Sequence, residues 1–159
     1  MIYTFTLSQF LSRFPDDKAC LEEIKKLRYP NGMFCLRCKK ITMHYKISER
    51  TAYSCKRCRN HTYPLADTVF AKTTTPLRTW FFCMFLMTHT RSTISAKQLQ
   101  QELSVTYKTA WRMRSAILTL MKQNNGDLLK GTDESIHKWL FFNKIEFTVT
   151  QKETAERRA

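Results

Sequence analysis

Three things are scarce in this sequence: acidic side chains, glycine and proline, and long apolar runs. The longest apolar run, Trp80 to Met87, is 8 residues, against the roughly 20 that a membrane span requires. No membrane partner is expected. Glycine occurs 3 times and proline 4 times among 159 residues, while 43% of the chain is apolar and 25% charged. That balance excludes the composition of a disordered chain and leaves room for one ordinary domain or for two or three small modules. Met1 to Phe10 lacks a charged start, an apolar centre and a small-residue cleavage site, so no secretory leader is expected. The expected place is the cytoplasm. Thiols stay reduced there, and paired cysteines point to metal before disulfide.

The shortage of acids leaves a large positive excess. Lys and Arg number 27 against 13 acids, a formal net charge of +14. The excess is concentrated. Residues 1–34 carry 5 basic and 4 acidic side chains, residues 35–64 carry 8 and 1, residues 65–125 carry 8 and 2, and residues 126–159 carry 6 and 6. The field belongs to the middle of the chain and supplies the counterion-release term that dominates binding to nucleic acid.

Within that basic middle stand Cys35-Leu36-Arg37-Cys38, sixteen intervening residues, and Cys55-Lys56-Arg57-Cys58. Each pair forms a tight knuckle that aims two thiolates at one point. Four thiolates satisfy the tetrahedron of a structural zinc and leave no open position for catalysis. Between the knuckles Met43, Tyr45 and Ile47 alternate with His44 and Lys46, the period of one strand of a hairpin. Ser48 to Arg50 can turn, and Ala52 to Ser54 return to the second knuckle. His44 and His61 are expected on the ribbon surface. So small a segment has little core, and metal binding worth roughly 10–16 kcal/mol is expected to hold it folded.

The flanking segments read as helical. Leu7, Phe10, Leu11 and Phe14 follow the i, i+3, i+4, i+7 pattern. Pro15-Asp16-Asp17 opens a second helix with Cys20, Leu21, Ile24 and Leu27 inward, closed by Pro30-Asn31-Gly32. Beyond the ribbon, a helix begins after Pro76 with Leu77, Trp80, Phe81, Met84, Phe85 and Met87 on its apolar face and an inert Cys83 within it. A short helix from about Ser95 to Leu103 follows, then a tight connection at Ser104-Val105. Thr106 caps a longer helix from Tyr107 to about Lys122. This succession predicts a helix-turn-helix. Ala110, Met113 and Ile117 would face inward with Trp111 flanking, and Tyr107, Lys108, Thr109 and Arg112 would point toward a major groove. Lys97 on the shorter helix, and Lys56, Arg57 and Arg59 on the second knuckle, complete the expected DNA contacts. The fold expected is mainly α with a small β zinc ribbon: helical residues 1–32, ribbon 33–70, helix-turn-helix 71–125 and a remnant 126–159.

FPDDKACLEEIKKLRYPNGMFCLRC, YSCKRC, TVFAKTTTPLRTWF and SVTYKTAWRMR, in that order, resemble the N-terminal half of bacterial insertion-sequence transposases that begin with a zinc ribbon, over roughly residues 14–134. The resemblance implies recognition of the terminal inverted repeats of a mobile element. It also implies a following ribonuclease-H-like domain that cuts and rejoins DNA with clustered acids and magnesium. Asp133-Glu134 matches the position of the family's first catalytic acid, after which Ser135-Ile136-His137-Lys138 departs from the family pattern. Residues 126–159 offer too little chain for the sheet that would gather carboxylates around two metals. Asp133 is therefore expected to be vestigial, with no strand cleavage by this polypeptide alone. A truncated or frameshifted reading frame is the expected origin of the tail, whose Trp139 to Phe142, Ile145, Phe147 and Val149 would form a residual hairpin.

Zinc-dependent DNA binding by a truncated transposase is the leading expectation, with homo-oligomers or full-length transposase as further partners. A free-standing helix-turn-helix regulator and the DNA-binding part of a transposase completed in trans are the alternatives. RNA or protein binding through the ribbon is a further one, with the Tyr45, Tyr53 and Tyr63 rings available for stacking.

Overall fold

A computed structural model describes residues 6–89 and 94–123. These fall into two compact units, one built from residues up to 20 together with 74 onward, the other from residues 21–73. The division falls within the segment expected over 1–32, after Cys20.

The first unit begins with α1 (Leu7–Arg13), which Thr6 and Gln9 cap reciprocally. The Thr6 hydroxyl accepts the Gln9 N–H at 3.3 Å, and the Gln9 side chain accepts the Thr6 N–H at 2.8 Å. Of the expected four-residue stripe only Phe10 and Phe14 are buried; Leu7 and Leu11 are 48% and 45% exposed. The two phenyl rings occupy the contact by themselves. Phe10 lies 5.5 and 5.2 Å from Phe82 and Phe85, and Phe14 meets Phe81 edge-on at 5.0 Å. Such aromatic pairs add about 0.5–1.5 kcal/mol beyond their burial. Helix α2 (Asp17–Arg28) starts where the Asp16 carboxylate accepts the Ala19 N–H at 2.8 Å. Cys20 is buried, and burial raises its thiol to about 12.

The second unit takes α2 from Leu21 and five short strands. Strand β1 (Phe34–Cys35) pairs antiparallel with β2 (Lys40–Ile41); β3 (His44–Lys46), β4 (Tyr53–Cys55) and β5 (His61–Thr62) form a three-stranded antiparallel sheet in that order. Tyr53 is 1% exposed, donates its hydroxyl proton to Glu22 and lies beneath the Lys25 ammonium at 4.5 Å. It is therefore a core residue and no stacking ring. Arg28 is 8% exposed, and its Nη1 donates to the carbonyls of Pro64 and Ala66 at 2.6 and 2.5 Å. Gly32 has φ +99°, and a Cβ there would stand 2.8 Å from Ile41 Cγ2. Gly32→Ala is expected to destabilise this unit by about 1–3 kcal/mol, through left-handed strain and the clash together, as read by denaturant unfolding.

The first unit resumes with α3 (Leu77–His89), α4 (Ala96–Leu103) and α5 (Tyr107–Gln123), which pack against one another. Leu77, Trp80, Phe81, Met84 and Phe85 are buried; so is Cys83, whose thiol burial raises to about 12. Ser95 and Gln98 repeat the capping box at the start of α4. The chain leaves α4 through Ser104, held at φ 52° and ψ 43° with its N–H bonded to the Gln100 carbonyl. Three residues separate α4 from α5, which opens with the Thr109 N–H donating to the Thr106 hydroxyl at 3.3 Å. Ala110, Met113 and Ile117 are fully buried, while Trp111 is 56% exposed. Among the described residues no helix is long and apolar enough to cross a membrane. Asp133, Glu134 and the tail hairpin lie outside the described residues.

Candidate metal centre and basic surfaces

Two knuckles build the metal site. In each, the residue after the second cysteine turns back to the first: Lys39 N–H donates to the Cys35 carbonyl at 2.8 Å, and Arg59 N–H to the Cys55 carbonyl at 2.9 Å. Lys39 and Arg59 accordingly adopt φ 52° and 57°, the left-handed region that costs a side-chain-bearing residue about 1–2 kcal/mol. The same strained turn at both knuckles aims each pair of sulfurs inward. Cys35 and Cys55 are buried, Cys38 and Cys58 partly so.

The four sulfurs lie within 4.8 Å of one another. Cys35 Sγ stands 3.4 Å from Cys58 Sγ, and Cys38 Sγ 4.0 Å from Cys55 Sγ. A zinc–thiolate bond of about 2.3 Å requires tetrahedral sulfurs about 3.8 Å apart, so both the spacing and the donor set fit one such ion. The four cysteines are positioned to bind a single metal ion. Among the described residues they are the one group of three or more His, Cys, Asp or Glu close enough to do so.

Neighbouring groups set the thiols apart. The Thr42 hydroxyl, 3.1 Å from Cys55 Sγ, and then the backbone N–H of Cys58 lower Cys55 to about 5. Cys38 is pushed the other way, to about 12, first by its hydrogen bond with Cys58 and then by desolvation. Thr42 was no candidate in the sequence, and its position between knuckles offers no motif. Thr42→Val should weaken metal retention about tenfold in competition with a chromophoric chelator, and Thr42→Ser should restore it. His44, expected at the surface, is half-buried: Nδ1 meets the Thr42 carbonyl at 2.9 Å and Nε2 lies 3.5 Å from the Thr62 hydroxyl. The inner side of β3 faces Tyr53 and Cys55, and this is why His44 packs inward. His61 is exposed, on the opposite face.

The expected DNA-contacting residues occupy two surfaces. On the second knuckle Lys56, Arg57 and Arg59 are exposed. In the helical unit Lys97, Lys108 and Arg112 are exposed, and Tyr107 is 53% so. Thr109 is half-buried and its hydroxyl accepts from Thr106 at 2.9 Å, which spends part of its polar capacity on the cap. Arg112 Nη2 reaches the Thr75 hydroxyl at 3.4 Å, a long contact that leaves the guanidinium in solvent. Arg114 serves differently. Its Nε donates to the Ile94 carbonyl at 2.7 Å and ties the approach to α4 onto α5.

Residues 15–61 match the family model of a transposase zinc-ribbon domain. Over 106 residues, 64% of this chain, the sequence is 28% identical to an uncharacterized protein in transposable element ISH50 of Halobacterium salinarum. The chain spans 35% of that relative's length. No solved structure matches. Four thiols at tetrahedral spacing, in a segment that matches transposase zinc ribbons and within a longer similarity to a transposable-element protein, make this chain similar to the proteins of insertion sequences.

Proposed function

We propose that this protein binds double-stranded DNA at the terminal inverted repeats of an insertion sequence, with a structural zinc holding the ribbon and the N-terminal end of α5 entering the major groove. The observation that carries the proposal is the coincidence of a four-cysteine metal site, in a segment that matches transposase zinc ribbons, with a chain of charge +14. The geometry of α4 and α5 supports it. A three-residue connection, a buried Ala110-Met113-Ile117 seam and the exposed Lys108 and Arg112 are what a helix-turn-helix needs to present one helix end to base edges.

Zinc is the ion proposed, because four thiolates form a closed tetrahedral set that suits a structural d10 cation. When bound it supplies folding energy and no open coordination position. The described residues hold, orient and expose cations, and the proposal for this chain is binding without strand cleavage. Hydroxyl-radical footprinting of the zinc-loaded protein on the end of its own element tests the reading. Protection confined to the inverted repeat supports it. Uniform protection along the fragment, or magnesium-dependent nicking of it, overturns the corresponding part.

A further inference from the structure

The three-stranded sheet has one face turned to the metal and one turned away, and the second is unusual. Register places Tyr45 opposite Ser54 and Ser54 opposite His61, so these three side chains form a row across β3, β4 and β5. Alternation along the strands confirms the face: Tyr45 and His61 are exposed where His44, Tyr53 and Cys55 turn inward. Tyr45 is 52% exposed, and Tyr63, two residues beyond His61, is 49% exposed. At neighbouring-strand spacing, Tyr45 and His61 stand about 10 Å apart with only a serine between them.

The surroundings carry charge of one sign. No acid lies on β3, β4 or β5, and Glu49 is the single acid between residues 35 and 64, against 8 basic residues. The second knuckle meets the middle of the row, where the Ser54 hydroxyl donates to the Arg59 carbonyl at 3.4 Å, and the Arg57 and Arg59 side chains are exposed. Rings on an acid-free sheet face beside exposed guanidinium groups complement a strand that offers both unpaired bases and phosphates. Duplex DNA keeps its bases stacked inside and gives such rings nothing to cover.

We propose that the outer face of β3–β4–β5, with Tyr45 and His61 as stacking rings and Arg57 and Arg59 as phosphate contacts, binds single-stranded DNA. The proposal deepens the DNA-binding reading by assigning the ribbon a different form of the same ligand from that assigned to α5.

The test uses the full zinc-loaded chain and a labelled oligo-dT of about 12 nucleotides, beside an abasic strand of equal length at matched salt. Oligo-dT should bind at least several-fold tighter than the abasic strand. Tyr45→Ala should weaken oligo-dT binding about tenfold and Tyr45→Phe should leave it unchanged, since a stacked base is worth about 1–3 kcal/mol. His61→Ala should weaken it in the same sense, and Arg112→Ala should not. A zinc content of one per chain in each variant shows that the ribbon stays folded. Equal binding of the abasic strand, or an unchanged Tyr45→Ala at full zinc content, would overturn the assignment. The two readings fail separately: oligo-dT binding without preference for the repeat duplex defeats end recognition alone, and repeat preference without oligo-dT binding defeats the stacking face alone.

Discussion

Cys55→Ser should abolish tight metal binding and unfold the ribbon, while the helices of the other unit persist. The reason is the scale of the two cores. In this unit the buried apolar residues are few, chiefly Leu21 and Ile24 on α2, Met33, Cys35, Ala52, Tyr53 and Cys55 around the strands, and Leu65 and Phe70 from the segment that follows. A structural zinc contributes about 10–16 kcal/mol, as much as the whole stability of an ordinary domain, about 5–15 kcal/mol. Losing one of four ligands therefore removes most of what holds residues 33–62 together. The other unit keeps its aromatic contacts among Phe10, Phe14, Phe81 and Phe85 and the Leu99–Met113–Ile117 seam. Far-UV circular dichroism should retain most of its helical signal, zinc stoichiometry should fall to near zero, and proteolysis should open between the knuckles. A strong chelator should act on the unsubstituted protein in the same way. Acid should do so too, because zinc holds thiolates and protons compete for them. Adding zinc to the stripped protein should release protons into a weak buffer, because binding converts thiols to thiolates.

The second large effect concerns binding without folding. Arg112→Ala should weaken affinity for the cognate repeat by about 1–3 kcal/mol, lower the salt dependence by about one counterion, and leave thermal stability nearly unchanged. Arg112 is exposed, and its one described contact is the long one to Thr75. Arg114→Ala serves as the contrast. It breaks a 2.7 Å hydrogen bond to the Ile94 carbonyl and should cost about 0.5–1.5 kcal/mol of stability. Two arginines on one helix, two residues apart, should thus separate cleanly into a DNA contact and a structural clasp. An Arg112→Ala variant that unfolds, or that binds the repeat as before, removes α5 as the recognition helix.

Much of this was legible in the sequence, for identifiable reasons. Two CxxC pairs at hairpin spacing are a chemical constraint, and the structure gathers those four sulfurs. The α4 and α5 boundaries follow from short-range capping chemistry at Ser95, Gln98 and Thr106, which a reader of residues can see. Periodicity was less informative where a few large side chains satisfy a contact: Phe10 and Phe14 leave Leu7 and Leu11 in solvent. Alternation in β3 marked a strand but not its inward face, which belongs to His44 and Lys46 and leaves Tyr45 outside. Long-range partners left no local trace. Nothing beside Arg28 announces the Pro64 and Ala66 carbonyls, nothing beside Tyr53 announces Glu22, and neither Lys39 nor Arg59 advertises a left-handed turn as glycine would. Charge counting treated Arg114 as part of the field, whereas the fold uses it internally.

The most direct test of the central claim is a salt titration of the zinc-loaded chain on a duplex carrying the inverted repeat of its own element, beside a scrambled duplex of equal length and composition. End recognition predicts tighter binding to the repeat at every salt concentration, with the difference surviving as the shared phosphate contribution is screened away and vanishing after zinc removal. Equal affinities that fall together and steeply with salt would contradict it, and would mean that the charge of +14 binds phosphate without reading sequence.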